Sequence, residues 1–322
     1  MADLQKHTLA QHPKLIFMGT PDFAVPSLNA LLNRGYDIRA VITQPDRPKG
    51  RGKKIAASSV KQLAVEKGID LFQPARISDD HFLNLIRNKE PDLIIVVAFG
   101  RMLGRAFLAI PEWGTINIHA SLLPLYRGPA PIQRAIINDD KKTGLTIMHM
   151  DEGLDTGPIM SQEDVPILKY ETAGQLHDKL ARISGDLIIS FLDKMSKTTI
   201  SERPQDHSMA TYAEKIERGI ACIDWYQPAD RISALIRALD PRPGAYTLLH
   251  GKEVKLFSPR IIDEKRSDVV PGKVVYSKDV LRIETCEGVI EIREMQYPGR
   301  KRLPASDFLR GVPLAKGTEL GK

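Results

Sequence analysis

The sequence predicts an α/β protein: an open, doubly wound, mostly parallel sheet followed by a small C-terminal β-barrel. Three observations carry this expectation. Between residues 14 and 195, short apolar runs alternate with segments whose apolar residues recur at helical spacing. One run, LIIVVAF at 93–99, is apolar throughout, as parallel strands covered on both faces are. Beyond the middle of the chain the texture changes to about five short strands, punctuated by turn residues, within roughly 75 residues. At 322 residues the chain is long enough for two domains, because single cores stop growing near ~250–300 residues.

Each element has its own signal. KLIFM (14–18) reads as a strand that Gly19 ends. Asp22 is expected to cap a helix bearing Phe23, Val25, Leu28, Leu31 and Leu32, stopped by Gly35. IRAVIT (38–43) is a second strand, and QPDRPKGRGKK (44–54) follows as a long, glycine-containing mobile loop. A helix over 59–67 ends at Gly68, residues 71–72 form a short strand, 78–89 a helix and 92–98 a buried strand. TINIH (115–119) reads as a strand end. A helix over 131–138, a strand over 145–150, a loop over 151–158 and a strand over 159–166 come next. Thr172 is placed to cap a long helix over 173–195, with Leu176, Leu180, Ile183 and Leu187 as its buried stripe.

Residues 196–210 are polar and read as a linker. A helix over 229–239 precedes strands at 245–250, 253–257, 272–276, 280–286 and 289–295, with His250-Gly251 and Glu287-Gly288 as hairpin connections. The expected division is a catalytic domain over 1–200, a linker over 201–216 and a barrel over 217–322. No internal repeat is present.

Composition excludes several classes. Lys and Arg number 46 against 40 Asp and Glu, a net charge of +6 that by itself requires nothing beyond solubility. The longest apolar run is far short of the ~20 residues of a membrane helix. The first residues, MADLQKHTLAQHPK, carry no apolar signal core. Cys222 and Cys286 are too few for a disulfide framework and lie in no zinc-like spacing. A cytoplasmic protein without membrane association or metal is expected, and nothing requires more than a monomer. GTPDF (19–23) lacks the G-x-G-x-x-G spacing, which argues against a nicotinamide cofactor.

Side chains alternate along TINIH, so Asn117 and His119 share one face at the carboxyl end of a strand, where open α/β sheets bind ligands. Two readings are open. An amide NH2 and an imidazole N–H converging on one point can stabilise an oxyanion in acyl transfer. Alternatively, Asn117 caps a turn and His119 is a structural histidine. DEGLDTG (151–157) supplies Asp155 as a carboxylate able to accept a proton or hold the histidine charged, or else it is a turn bonded to its own backbone. Arg47, Lys49, Arg51, Lys53 and Lys54 are five basic residues in eight positions without an acid. They are a solvated surface run or an anion-binding loop. Arg293, Arg300, Lys301, Arg302 and Arg310 pose the same choice in the second half, as a second basic patch or as scattered surface charge.

Together, GTPDFAVPSL (19–28), QPDRPKGRGKK (44–54), INIHASLLPLYRGPAPIQRAI (116–136), MDEGLDTGPI (150–159), TYAEKI (211–216) and IDW (223–225) resemble the methionyl-tRNA formyltransferases, in order and over nearly the whole chain. Leu125, Tyr126 and Pro129 stand where members of that family often differ, which puts only loop packing in doubt. The resemblance implies a Rossmann-like formyltransferase domain and an OB-like barrel. It implies transfer of a formyl group from 10-formyltetrahydrofolate to the α-amino group of methionyl initiator tRNA, without metal or covalent enzyme intermediate. Asn117, His119 and Asp155 would then be the catalytic trio, and Ser121, Leu122, Leu123 and Pro124 the folate-contacting segment. Arg47, Lys49, Arg51, Lys53 and Lys54 would contact the tRNA acceptor stem, with Arg51 between its two glycines as a wedge near the terminal base pair. The competing readings are another folate-dependent formyltransferase, acting on an amino sugar nucleotide or glycinamide ribonucleotide, and a catalytically silent RNA-binding protein. The first shares the trio; the second has no need of it.

Overall fold

The computed structural model describes residues 9–10, 12–49, 54–262 and 268–321. The chain forms two compact units. One comprises Met1–Pro129, Thr143–Val165 and His177–Ala213; the other comprises Ala130–Lys142, Pro166–Leu176 and Glu214–Lys322.

In chain order the strands of the first unit are β1 (Lys14–Gly19), β2 (Asp37–Ile42), β3 (Arg47–Lys49), β4 (Lys54–Ala56), β5 (Leu71–Phe72), β6 (Leu93–Val97), β7 (Thr115–His119), β8 (Lys142–His149) and β9 (Ile159–Pro166). Seven of them build one sheet in the order β5-β2-β1-β6-β7-β8-β9. Pairing is parallel from β5 through β7, and β8 runs antiparallel to β7. The uniformly apolar runs are the central strands, as burial on both faces requires: β1 and β6 are buried almost end to end. Ile16, Met18, Ile42, Ile94, Val96, Phe82 and Phe107 form one core against the sheet.

The helices are α1 (Val25–Asn33), α2 (Ser59–Glu66), α3 (Asp80–Arg87), the short α4 (Arg105–Leu108), α5 (Pro131–Ile137) and α6 (Ala173–Met195). Two helix starts differ from expectation and one agrees with it. Asp22 opens a 3-10 turn over Asp22–Ala24, and α1 has Ala24 at its N-cap with no side-chain cap. Proline near the start of α1 supplies the fixed φ that a helix start needs instead. The cap of α3 is Asp79, which accepts from the Phe82 N–H, so the helix starts at Asp80, two residues later than expected. Thr172 does cap α6: its hydroxyl accepts from Gln175 N–H while the Gln175 side-chain Oε1 accepts from Thr172 N–H, a reciprocal capping box. No helix among the described residues is long and apolar enough to cross a membrane.

The stretch expected as a mobile loop is more ordered at its arms. β3 and β4 pair antiparallel, with Arg47 opposite Ala56 and Lys49 opposite Lys54.

The second unit contains α7 (Ala229–Ala238) and the strands β10 (Tyr246–Leu249), β11 (Lys252–Ile262), β12 (Val274–Ser277), β13 (Leu281–Glu284), β14 (Val289–Gln296) and β15 (Leu303–Pro304), then α8 (Ala305–Gly311). The sheet order is β10-β11-β14-β13-β12, antiparallel throughout, with β15 on β14. It curls as a partial, OB-like barrel around Trp225, Ile236, Leu256, Ile283, Ile290 and Phe308. The last residues stitch its two edges. Gly317 and Thr318 exchange hydrogen bonds with Val274, Leu320 N–H donates to the Gly272 carbonyl, and Gly321 N–H donates to the Leu248 carbonyl within β10. Sequence reading missed both: α8 is only seven residues long although Ala305, Phe308 and Leu309 sit at helical spacing, and the stitch carries no periodic signal.

Candidate active site

β7 lies between β6 and β8, and its pleat places Asn117 and His119 on one face while Ile116 and Ile118 fill the other. Both polar residues are buried, at 9% and 6% exposure, which makes their hydrogen bonds decisive. His119 Nε2 lies 2.9 Å from the Tyr126 carbonyl oxygen. A carbonyl only accepts, so the Nε2 hydrogen points there and Nδ1 faces the other way. There Asp155 Oδ2 stands 3.6 Å from Nδ1, an ion-pair separation too long for a hydrogen bond. The same oxygen accepts from Gly128 N–H at 2.8 Å. Among the described residues the Asn117 side-chain amide has no hydrogen-bond partner. The residue is largely enclosed, but its amide is not fully buried, so the unused donors stay open to solvent, where a ligand carbonyl can meet them.

The loop behind β7 is braced from several sides. Thr146, fully buried on β8, donates to the Ser121 carbonyl at 2.6 Å and accepts from Leu123 N–H at 3.1 Å. Gln162 on β9 donates to the Leu123 carbonyl and to the Thr146 hydroxyl. Ser121 Oγ donates to the Leu125 carbonyl, and Thr211 accepts from Tyr126 N–H. The sequence-predicted folate segment therefore divides. Ser121 and Leu123 are buried, and Leu123 packs against Met148 and Ile159. Leu122 and Pro124 are half-buried and present the accessible part. Sequence reading did not single out Thr146 or Gln162. A polar residue inside a strand carries no signal of its own unless its partner is known.

Asp155 sits in a loop that winds tightly onto β8. Its φ is +53°, a left-handed conformation that costs a non-glycine residue about 1–3 kcal/mol. A Cβ on Gly157 would lie 1.8 Å from the His149 carbonyl oxygen, so only glycine permits that approach.

The basic stretch is anchored at its base. Lys61 Nζ donates to Asp46 Oδ2 at 2.6 Å and to Gln73 Oε1 at 2.8 Å, and Gln73 Nε2 donates to Asp46 Oδ1 at 2.8 Å. Gln44 Nε2 in turn donates to the Phe99 carbonyl at 2.6 Å. Arg47 is exposed, Lys49 and Lys54 are placed by the backbone ladder, and Arg51 and Lys53 lie outside the described residues. The hydrogen bonds from Lys61 and then Gln73 hold the Asp46 carboxyl below the ordinary carboxylate range. A depressed folded-state value means that the clasp stabilises the fold above the unfolded carboxylate value of about 3.9, and is lost only as pH falls through the depressed value. A carbon-detected titration of Asp46 should have its midpoint below about 3.9, and Lys61→Met should move it up towards that value. An unchanged midpoint would show that the clasp does not form in solution.

The C-terminal basic residues do not form one free patch. The Arg302 guanidinium is bidentate on Asp240, bonds Glu294 and lies over the Phe257 ring at 4.0 Å. Arg293 pairs with Glu291 and Arg310 with Asp307, while Arg300 and Lys301 are exposed. Among the described residues no group of three or more His, Cys, Asp or Glu could hold a metal ion.

Comparison with known proteins bears on the whole chain. The Formyl transferase family matches residues 13–192, and its C-terminal domain matches residues 215–313. The methionyl-tRNA formyltransferase of Ruminiclostridium cellulolyticum is 42% identical over 96% of this chain and 100% of its own. Among solved structures, the sugar 3N-formyl transferase WlaRD, crystallised in the presence of dTDP and 5-N-formyl-THF, aligns with a TM-score of 0.66 at 20% identity over 92% of this chain and all of its own. HypX from Aquifex aeolicus, in complex with tetrahydrofolic acid, aligns with a TM-score of 0.62 at 20% identity over 97% of this chain. This chain spans about half the length of HypX (51%), and both structures share the fold with it.

Proposed function

The chain belongs to the formyl transferase family, and within it to the methionyl-tRNA formyltransferases; from that membership we propose how the first unit carries out the reaction. The enzyme transfers a formyl group to the amino group of methionyl initiator tRNA, for translation initiation. The donor in this reading is 10-formyltetrahydrofolate, held along Ser121, Leu122, Leu123 and Pro124, and the transfer is carried by Asn117, His119 and Asp155.

The observation that carries the reading is the Asn117 amide, unpaired yet open to a ligand in a largely enclosed residue, beside the His119–Asp155 pair. The methionyl nitrogen attacks the formyl carbon, a new C–N bond forms, and the carbonyl electron pair moves to oxygen. Asn117 NH2 donates to that developing oxyanion. His119 keeps its Nε2 hydrogen on Tyr126; in the imidazolium form Nδ1–H is its second donor. The 3.6 Å gap to Asp155 leaves this hydrogen free to be shared with the oxyanion. Asp155 holds the imidazolium by charge and relays, through water, the proton lost by the attacking amine. Collapse breaks the bond to the folate nitrogen, which departs with that proton.

Acceptor choice rests on Arg47, Lys49, Arg51, Lys53 and Lys54, whose charge would engage the acceptor stem in a salt-dependent way. In this reading residues 1–200 hold the chemistry, 201–216 connect, and 217–322 add tRNA contacts. The enzyme works as a cytoplasmic monomer. Arg51→Ala should raise the Michaelis constant for tRNA at least several-fold and leave that for folate unchanged. Equal effects on both would remove the loop as the RNA reader. The acceptor is tested by giving the protein 10-formyltetrahydrofolate with methionyl initiator tRNA, an amino sugar nucleotide or glycinamide ribonucleotide. Formylation of the tRNA alone is expected; turnover of a small amine without the tRNA would overturn the reading.

A further inference from the structure

Among the described residues Arg127 is the largest fully buried side chain, at 1% exposure, and no carboxylate pairs with it. A buried guanidinium is costly unless its donors are met. Here they are met by neutral groups. Nε and Nη2 donate to Gln205 Oε1 at 3.1 and 2.7 Å, and both Nη atoms reach His207 Nδ1 at 3.3 Å. Gln205 is itself buried, at 6% exposure. With its oxygen held by Arg127, its Nε2 must point the other way. It donates to the Asp155 carbonyl at 2.9 Å and to the Gly157 carbonyl at 2.7 Å.

One amide thus clamps the two backbone carbonyls that flank the turn, on the residue whose φ of +53° most needs support. Gly128, next to Arg127, holds the Asp155 carboxylate by its N–H. We propose that Arg127 and Gln205 form a positioning device for Asp155: the guanidinium fixes which end of the Gln205 amide faces the loop, and the amide fixes the loop. This inference rests on the proposed role of Asp155, and Gln205 falls in the polar stretch that reads as a linker.

Gln205→Glu separates the two ends of the amide. A carboxylate keeps, and charge-assists, the bond from Arg127, but replaces the amide donor with an oxygen facing two carbonyls. Three measurements on the full-length enzyme test it, with Asp155→Asn alongside. The turnover number of Gln205→Glu should fall about 10–100-fold, since displacing a catalytic group by an ångström costs that much. Both Michaelis constants should stay within about two-fold. Amide hydrogen exchange should rise over residues 153–158 and not in β1 or β6, and the thermal midpoint should not fall in parallel. Gln205→Asn, with the same chemistry and one methylene less reach, should show the same pattern and serves if Gln205→Glu folds poorly. Near-parental turnover in both variants, with Asp155→Asn inactive, would overturn the device while leaving the role of Asp155 intact. Near-parental turnover in Asp155→Asn would overturn that role, and the device with it.

Discussion

Asn117→Ala, His119→Ala and Asp155→Ala are each expected to abolish useful turnover while leaving folate binding within a few-fold of the parent. The magnitudes follow from what each group does. Losing one preorganised donor to an oxyanion costs about 10²–10³ in turnover number, or ~2.7–4 kcal/mol, and this is the expectation for Asn117. Among the described residues the Asn117 amide has no hydrogen-bond partner, so its removal should break none of the contacts that hold the fold. His119 and Asp155 combine charge stabilisation with proton transfer, and their loss should cost about 10²–10⁴ each. The two are coupled through the Nδ1–Oδ2 contact, so the double variant should lose little more than either single one. The check is steady-state formylation alongside equilibrium folate binding. Turnover within two-fold of the parent for any one variant would remove that residue from the chemistry.

Gly157→Ala is expected to be nearly as damaging although it touches no substrate. Its Cβ would overlap the His149 carbonyl oxygen at 1.8 Å, and this neighbour is backbone in β8, which cannot swing aside. The loop must move instead. That move strains the bond from His149 N–H to the Pro158 carbonyl and the clamp on Gly157 by Gln205. Overpacking of this kind costs about 1–3 kcal/mol of stability, and displacement of Asp155, two residues away, should lower turnover by about 10²-fold. Gly153→Ala is the control. Its Cβ would meet the Thr156 hydroxyl at 1.9 Å, but that is the tip of a side chain that can rotate, so a much smaller loss is expected. Denaturant melts and turnover measured on both variants decide the matter; equal losses would show that the loop yields as a whole and that the close approach at 157 is not what holds it.

What could be read in advance, and what could not, separates along physical lines. β1 and β6 were legible because burial on both faces leaves an uninterrupted apolar run. Asn117 and His119 were legible because two polar residues at a spacing of two interrupt such a run on one face, and Asp155 because a carboxylate lay between two glycines. Gln205 and Arg127 were not. A buried amide and a buried guanidinium look, in composition, the same as solvated ones, and only their mutual satisfaction takes them inside. The arms of the basic stretch, β3 and β4, escaped for a related reason, since lysine and proline are poor strand signals and the pairing with the opposite arm decides. Arg302 is the reverse case. The sequence left it open between a second basic patch and scattered surface charge, and Asp240 and Glu294 claim it instead.

The central claim is that the Asn117 amide, unpaired in the folded chain, donates to the formyl oxygen. Isotope-edited infrared spectroscopy of 10-formyltetrahydrofolate labelled at the formyl carbon reads that bond directly, because a hydrogen bond to a carbonyl lowers its stretching frequency. The account predicts a lowered frequency for the donor bound to the parent enzyme, and a return towards the free value in Asn117→Ala at equal occupancy. The same frequency in both proteins would contradict it.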